Sequence, residues 1–180
     1  LALSGRKYSS SEIYRIVSGK AVESVAFGLR EGATLRATRL AEILSLNTLA
    51  IFDSSLSHDD IEYLSEIPNV DAVTINSCEI NPFTTVSGQK AVRNAFRPAY
   101  IWFEESGFPS EEPRNGLSWM KPSIVSFSRV EIPEWVLEEL VCNNSHLKGA
   151  IFSNCTLGGA SLSRELLPCE LSEKTSIRIQ

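Results

Sequence analysis

Leu46-Asn-Thr-Leu49-Ala-Ile51-Phe-Asp-Ser54-Ser-Leu56 contains the apolar spacing that predicts the architecture of this protein. Leu49 and Ile51 are two residues apart, which is the spacing of a short strand with one buried face. The ninth and eleventh residues, Ser54 and Leu56, continue on the buried side around a bend. Because such a unit cannot bury its apolar side alone, it requires stacked neighbours.

The same spacing recurs along the chain. The second copy starts at Val70, which is 70 minus 46, or 24, residues after Leu46, and further copies start at Pro98, Pro122 and Leu147. Partial copies occur at 22–27 and 177–179. If the copies stack, their sixth residues form one column, which consists of Ile51, Ile75, Phe103, Phe127 and Phe152.

The residues between the copies predict helical segments. Ser57 is a good N-cap, acidic residues follow it, and Pro68 ends an apolar face formed by residues 61, 64 and 67. Pro133 suits the first position of a second helix, which is predicted to run to residue 141. Further helices are predicted at 11–17, 33–45, 87–96 and 161–167. Two prolines and an Asn-Gly pair predict a loop at 108–116.

This pattern resembles the leucine-rich repeat family, in the longer form whose period also contains a helix. The family consensus, L-x-x-L-x-L-x-x-N/C-x-L, matches best at 46–56, 70–80 and 147–157, with Cys78 and Cys155 in the N/C position. Departures at that position are Arg30, Ser54, Ser106 and Val130. The resemblance implies an α/β solenoid of short parallel strands and convex-side helices. It further implies an N-terminal cap with a degenerate repeat at 1–45 and a repeat array at 46–180 that is irregular around 96–120.

Two other architectures stay open at this point. Residues 145–164 place a small and then a large apolar residue in successive groups of five, which resembles a pentapeptide-repeat β-helix. The second alternative is an ordinary α/β domain whose strands fall at regular intervals without forming a repeat.

Composition argues against several functional classes. The 180 residues include 17 Lys+Arg and 22 Asp+Glu, so the net charge of -5 disfavours a nucleic-acid partner, which requires a basic face. No apolar run reaches the ~18 residues of a membrane span. No cofactor or metal motif is present, and the four cysteines contain no C-x-x-C pair and predict no disulfide framework. Because the chain starts at Leu1 without a signal-like layout, we expect a fragment or a processed form.

No catalytic motif occurs in the sequence, and we therefore predict a non-catalytic protein. A hydrolase or transferase is the alternative, using Cys142 or an acidic pair within 104–112. Cys142 and His146 are four residues apart, the spacing of one helical face, and an imidazole can activate a thiol. However, Asn143-Asn144-Ser145 is typical of a turn, which would end the helix at Cys142. The position of Cys78 and Cys155 in the repeat predicts buried, inert thiols.

The strand residues between the buried positions would face outward on a concave sheet. Those predicted to contact a partner are Phe52, Asn76, Tyr100, Trp102, Glu104, Ile124 and Ile151. Exposed apolar patches often mark partner surfaces, in which Tyr and Trp are frequent anchors. We expect a protein or peptide partner, and the alternative is an extracellular glycan stacked on Tyr100 and Trp102. A register shift of one residue in the middle copy would remove Trp102 from this face.

Overall fold

A parallel sheet dominates the fold. The computed structural model describes residues 1–81, 96–111, 117, 119–167 and 175–180. The strands in these residues are β1 (Ala2–Tyr8), β2 (Ser24–Leu29), β3 (Thr48–Phe52), β4 (Ser55–Leu56), β5 (Ala72–Asn76), β6 (Glu79–Ile80), β7 (Tyr100–Glu104), β8 (Ile124–Ser128), β9 (Gly149–Ser153), β10 (Thr156–Leu157), β11 (Ala160–Ser161) and β12 (Ser176–Ile179). Eight of them pair in parallel in the order β1-β2-β3-β5-β7-β8-β9-β12, so their spatial order equals their chain order.

In the part of the chain that the structure describes, helical structure is limited to short segments between the strands. The α-helices of the described residues are α1 (Ser10–Val17), α2 (His58–Tyr63) and α3 (Glu134–Leu137). A π-helical segment, Glu138–Cys142, continues α3. Single 3-10 turns occur at Arg36–Thr38, Leu40–Glu42, Leu64–Glu66 and Arg164–Leu166. The protein is therefore a mixed α/β protein with a large parallel sheet and few helices.

From β2 to β12 the strands of the large sheet align residue for residue, and this alignment builds the core. The predicted column is confirmed, because Ile51 pairs with Ile75, Ile75 with Phe103, Phe103 with Phe127, and Phe127 with Phe152. These five side chains are almost completely buried. Their three phenyl rings stack, with centroids 5.4 Å apart between Phe103 and Phe127 and 5.6 Å apart between Phe127 and Phe152.

A left-handed residue follows five of the strands. These residues are Asp53, Ser77, Glu105, Arg129 and Asn154, with φ between 47° and 54°. Each donates its backbone N–H to the carbonyl of the residue that ends or directly follows the neighbouring strand, at 2.8 to 3.0 Å. None of the five is glycine; Asp53 and Asn154 tolerate positive φ better than other side chains, whereas Ser77, Glu105 and Arg129 carry a steric penalty on the order of 1–2 kcal/mol. The turn is thus built in the same strained form after each of these strands.

The residue after each left-handed turn is buried and, in several copies, tied to the backbone by its side chain. The Ser54 hydroxyl donates to the carbonyl of Phe52 at 2.6 Å and accepts the N–H of Leu29, in the preceding strand, at 2.8 Å. Ser106 accepts the N–H of Cys78 at 3.3 Å and lies 3.0 Å from the carbonyl oxygen of Ile75. Serine therefore satisfies the buried backbone at positions where the family consensus has asparagine or cysteine.

The helix start predicted at Ser57 is confirmed. Ser57 caps α2 in a reciprocal capping box with Asp60. The Asp60 carboxylate is buried, and its second oxygen accepts the N–H of Leu35 at 2.6 Å. One side chain thus caps its own helix and also holds the segment that precedes β3.

The predicted helix at 33–45 is wrong. This segment forms two 3-10 turns separated by Arg39, whose φ of 56° interrupts helical geometry. Pro133 is the N-cap of α3 rather than its first helical residue, and the predicted helix at 161–167 is only the 3-10 turn Arg164–Leu166, with Ser161 in β11. Strand β1 was not predicted at all. The helix predicted at 87–96 lies almost wholly outside the described residues, as does the Asn-Gly part of the predicted loop.

Residues 145–164 do not form the coils of a pentapeptide β-helix. β9 belongs to the large sheet, whereas β10 and β11 form an antiparallel hairpin. Gly158 and Gly159 make its turn at positive φ, where a side chain would be strained.

We predict that Phe127→Ala lowers the free energy of unfolding by about 3–5 kcal/mol, because it leaves a cavity inside the phenyl stack. Phe127→Leu should cost below about 1.5 kcal/mol because it keeps most of the volume. The matched control is Phe52→Ala on the opposite face of the sheet, with an expected loss of about 1 kcal/mol. Urea denaturation measures all three, and equal losses for Phe127→Ala and Phe52→Ala would contradict the described register.

We also predict that Ser54→Ala lowers the free energy of unfolding by about 1–3 kcal/mol, because the buried N–H of Leu29 then lacks an acceptor. Ser163→Ala is the control, since Ser163 is exposed and its side chain caps no helix. Urea denaturation should show no measurable change for the control. Equal stability of both variants would show that the serine bond to the preceding strand contributes nothing.

Candidate functional site

The face of the sheet opposite the core, here called the outer face, carries the predicted contact residues. Strands β3, β5, β7 and β9 alternate half-buried and buried residues along their whole length. Every predicted contact residue occupies a position on the outer face, so the middle strand β7 has the register in which Trp102 lies outward. Of these residues, Ile124 is the most exposed, at 37%.

Four of the predicted residues form one apolar patch across three strands, here called the β7–β9 patch: Tyr100, Trp102, Ile124 and Ile151. Tyr100 of β7 pairs in register with Ile124 of β8. Trp102 pairs with Ser126, which pairs in turn with Ile151 of β9. Because neighbouring strands lie about 4.8 Å apart, these side chains are within mutual reach. The sheet thus joins residues that are up to 51 positions apart in the sequence, 151 minus 100.

Trp102 has an unusual environment within the β7–β9 patch. Its ring is half-buried, but the indole N–H is shielded from solvent and has no hydrogen-bond acceptor. A buried donor without an acceptor costs about 1–3 kcal/mol. Packing of the ring, and not hydrogen bonding, therefore holds Trp102 in place.

The other three predicted residues lie along the row where the strands end, and two of them, Asn76 and Glu104, form a separate polar group. Phe52 pairs with Asn76, and Asn76 pairs with Glu104. The Asn76 amide donates to Glu104 Oε2 at 2.7 Å. Phe52 is therefore separated from the β7–β9 patch by strand β5, and the seven predicted residues do not form one continuous surface.

Arg129 completes this polar group and was not predicted. Its guanidinium donates to Glu104 Oε1 and to Glu105 Oε1, both at 2.6 Å. The hydrogen bond to Glu105, together with the charges of the two carboxylates, raises the pKa of Arg129. The sequence does contain a signal, because Arg129 is 129 minus 105, or 24, residues after Glu105 and occupies the same place after its strand.

The alternative catalytic groups have other roles in the structure. Cys142 is bonded in a disulfide, contrary to the expectation of a free thiol, and is not available as a nucleophile. The helical segment ends at Cys142 as predicted, and His146 lies beyond it on the surface. In the acidic segment, Glu104 and Glu105 are ion-paired with Arg129. Glu111 is exposed, and residue 112 lies outside the described residues.

Cys78 and Cys155 are free and buried, as predicted. Burial raises the pKa of the Cys78 thiol to about 11 and also raises the pKa of Cys155. Because the thiolate is the reactive form, neither side chain has the properties of a nucleophile at neutral pH.

Within the described ranges, no three side chains of His, Cys, Asp or Glu converge to hold a metal ion. The helices in that same part of the chain are all too short or too polar to cross a membrane.

Comparison with known proteins adds no functional assignment: no family model, no curated protein and no solved structure matches this chain.

Proposed function

We propose that this protein is a non-catalytic binding module that captures a protein or peptide on the outer face of its sheet. The observation that carries this proposal is the β7–β9 patch. It combines Tyr100, Trp102, Ile124 and Ile151 on the outer face, and clusters of this composition are typical of interface centres.

We further propose that the fold is a small leucine-rich repeat solenoid with a concave outer face. The chain-order arrangement of the parallel strands supports this, since a doubly wound sheet would reverse its strand order. The repeated left-handed residue supports it as well, because it recurs at intervals of 24, 28, 24 and 25 residues, from 53 through 77, 105 and 129 to 154. In such an arrangement each unit contributes one strand to a continuous surface.

The patch favours a partner with apolar side chains and a small number of polar groups. Its centre carries no charge, whereas charged groups lie at its margins: the Glu104–Arg129 pair at the strand ends and Arg178 beside Ile151. An uncharged aromatic centre with a charged rim is the usual arrangement of a protein or peptide interface. The two carboxylates near Arg129 are bound internally, which leaves them poorly suited to acid–base catalysis.

We predict that Trp102→Ala weakens binding of peptides selected on the wild-type protein from a displayed random library by about 30-fold or more, the typical effect of an interfacial anchor. Trp119 and Trp135 are buried, so a shift of tryptophan emission on binding reports mainly on Trp102. The matched control is Leu44→Ala, because Leu44 is 73% exposed and lies outside the outer face.

Equal binding by Trp102→Ala and the wild type would contradict the proposal, as would a library that yields no binder. A glycan array tests the alternative partner with the same two variants. Glycan binding that depends on Trp102, without peptide binding, would replace the proposed partner.

We predict that Trp102→Phe leaves the free energy of unfolding within about 1 kcal/mol of the wild type, because it removes a shielded donor that has no acceptor. The variant keeps an aromatic ring on β7 and therefore separates folding from binding. Thermal or urea denaturation measures the stability. A loss of about 3 kcal/mol or more would show that the indole contributes more packing energy than we infer.

A further inference from the structure

A second set of parallel pairings lies just beyond the large sheet and is interrupted at one place. β4 pairs with β6, and Glu79 of β6 bridges to Gly107. On the other side, Glu131 bridges to Thr156 of β10. The described residues show no pairing between Gly107 and Glu131, although their strands β7 and β8 are neighbours throughout.

The interruption can be specified by its missing hydrogen bonds. The pairing of Glu131 with Thr156 is intact and serves as the comparison. There the N–H of Ile132 donates to the carbonyl of Thr156 at 2.8 Å, and the N–H of Thr156 donates to the carbonyl of Val130 at 3.1 Å. The equivalent bonds here would join Phe108 N–H to the Glu131 carbonyl and Glu131 N–H to the Ser106 carbonyl. Neither forms within the described part of the chain.

The side chain at the bend accounts for the difference. Ser106 and Ser54 accept a backbone N–H from the preceding copy. Val130 occupies the equivalent position in the next copy, and its side chain has no polar atom that could accept the backbone N–H of Ser106. Pro109 directly follows Phe108 and cannot donate a backbone hydrogen bond, so the chain diverges there.

A cleft of about 550 Å³ occupies the gap. Its apolar wall includes Phe108, Ile132 and Leu157, and Glu131 and Glu134 line the same cleft. Both glutamates are exposed, and neither forms an ion pair with another described residue. Among the described residues that line the cleft, none is a lysine or arginine. A volume of this size is within the ordinary range for ligand sites.

We propose that this cleft binds an extended peptide segment that carries a lysine or arginine. The main chain of the segment pairs with Phe108 and Glu131, where the ladder lacks its own bonds, as in strand addition to a sheet edge. The basic side chain meets the carboxylates of Glu131 and Glu134, and its aliphatic stem packs on the apolar wall. The site is separate from the β7–β9 patch and does not depend on the function proposed for that patch.

Three short synthetic peptides test the proposal. They alternate threonine and valine and carry lysine, glutamine or glutamate at the centre. We expect the lysine peptide to bind about three- to tenfold more tightly than the glutamine peptide, because lysine makes two partly solvated charge contacts with the glutamates. The glutamate peptide should bind most weakly. NMR titration of the full chain should shift the amide resonances of Gly107, Phe108 and Glu131.

The double variant Glu131→Gln, Glu134→Gln should bind the lysine and glutamine peptides equally. Glu165→Gln, an exposed glutamate outside the cleft, should keep the preference for lysine and serves as the matched control. Trp102→Ala should also keep it, which distinguishes this site from the outer face. Absence of peptide binding, no preference for lysine, the same preference in the double variant, or unshifted amides at residues 107, 108 and 131 would each overturn the proposal.

Discussion

The left-handed residue after each central strand is the constraint on which the rest of the structure depends. Its backbone N–H reaches the carbonyl at the end of the neighbouring strand, and this bond recurs from Asp53 to Asn154 at 2.8 to 3.0 Å. The strained φ turns the chain so that the next residue enters the core. Since each turn fixes where its strand ends relative to the next one, strands β3, β5, β7, β8 and β9 are held in a single register, and the phenyl rings of Phe103, Phe127 and Phe152 come to stack.

This register also determines what the outer face presents. A slip of one residue in β7 would bury Trp102 and expose Ile101 and Phe103. Such a slip is disfavoured because it would remove two nearly fully buried side chains from the core, at about 1.5–3 kcal/mol for each. The same contacts that stabilise the core therefore fix the composition of the proposed binding surface.

The sequence predicts the parts of this structure that depend on side-chain alternation. The column from Ile51 to Phe152 follows from apolar residues at fixed spacing, and the start of α2 follows from Ser57 and the acidic residues after it. The sequence does not reveal conformations that depend on backbone strain. Arg39 is an ordinary helix-forming residue, yet it adopts positive φ and divides the predicted helix at 33–45. β1 was missed because most of its residues are exposed and lack an apolar alternation.

The candidate site was predictable to a similar extent. The outward direction of Tyr100, Trp102, Ile124 and Ile151 follows from the alternation. However, the contact between Asn76 and Glu104 joins residues 28 positions apart, and the role of Arg129 depends on the turn that places it beside both glutamates. The repeat spacing places Arg129 and Glu105 at the same position in successive copies, but which polar groups bond to one another could be identified only from the three-dimensional register.

Val130 shows how one departure from the repeat can change the surface without changing the core. Its side chain is buried, as the position requires, and β7 and β8 pair fully on the inner side of the bend. What is lost is only the polar atom that would hold the preceding copy beyond the bend. The core tolerates valine because its methyl groups fill the buried volume. The second set of pairings, beyond the bend, opens because valine cannot form the hydrogen bond that Ser54 and Ser106 form. An apolar substitution at a buried position can thus create a polar opening at the surface, with free backbone groups and two carboxylates beside it.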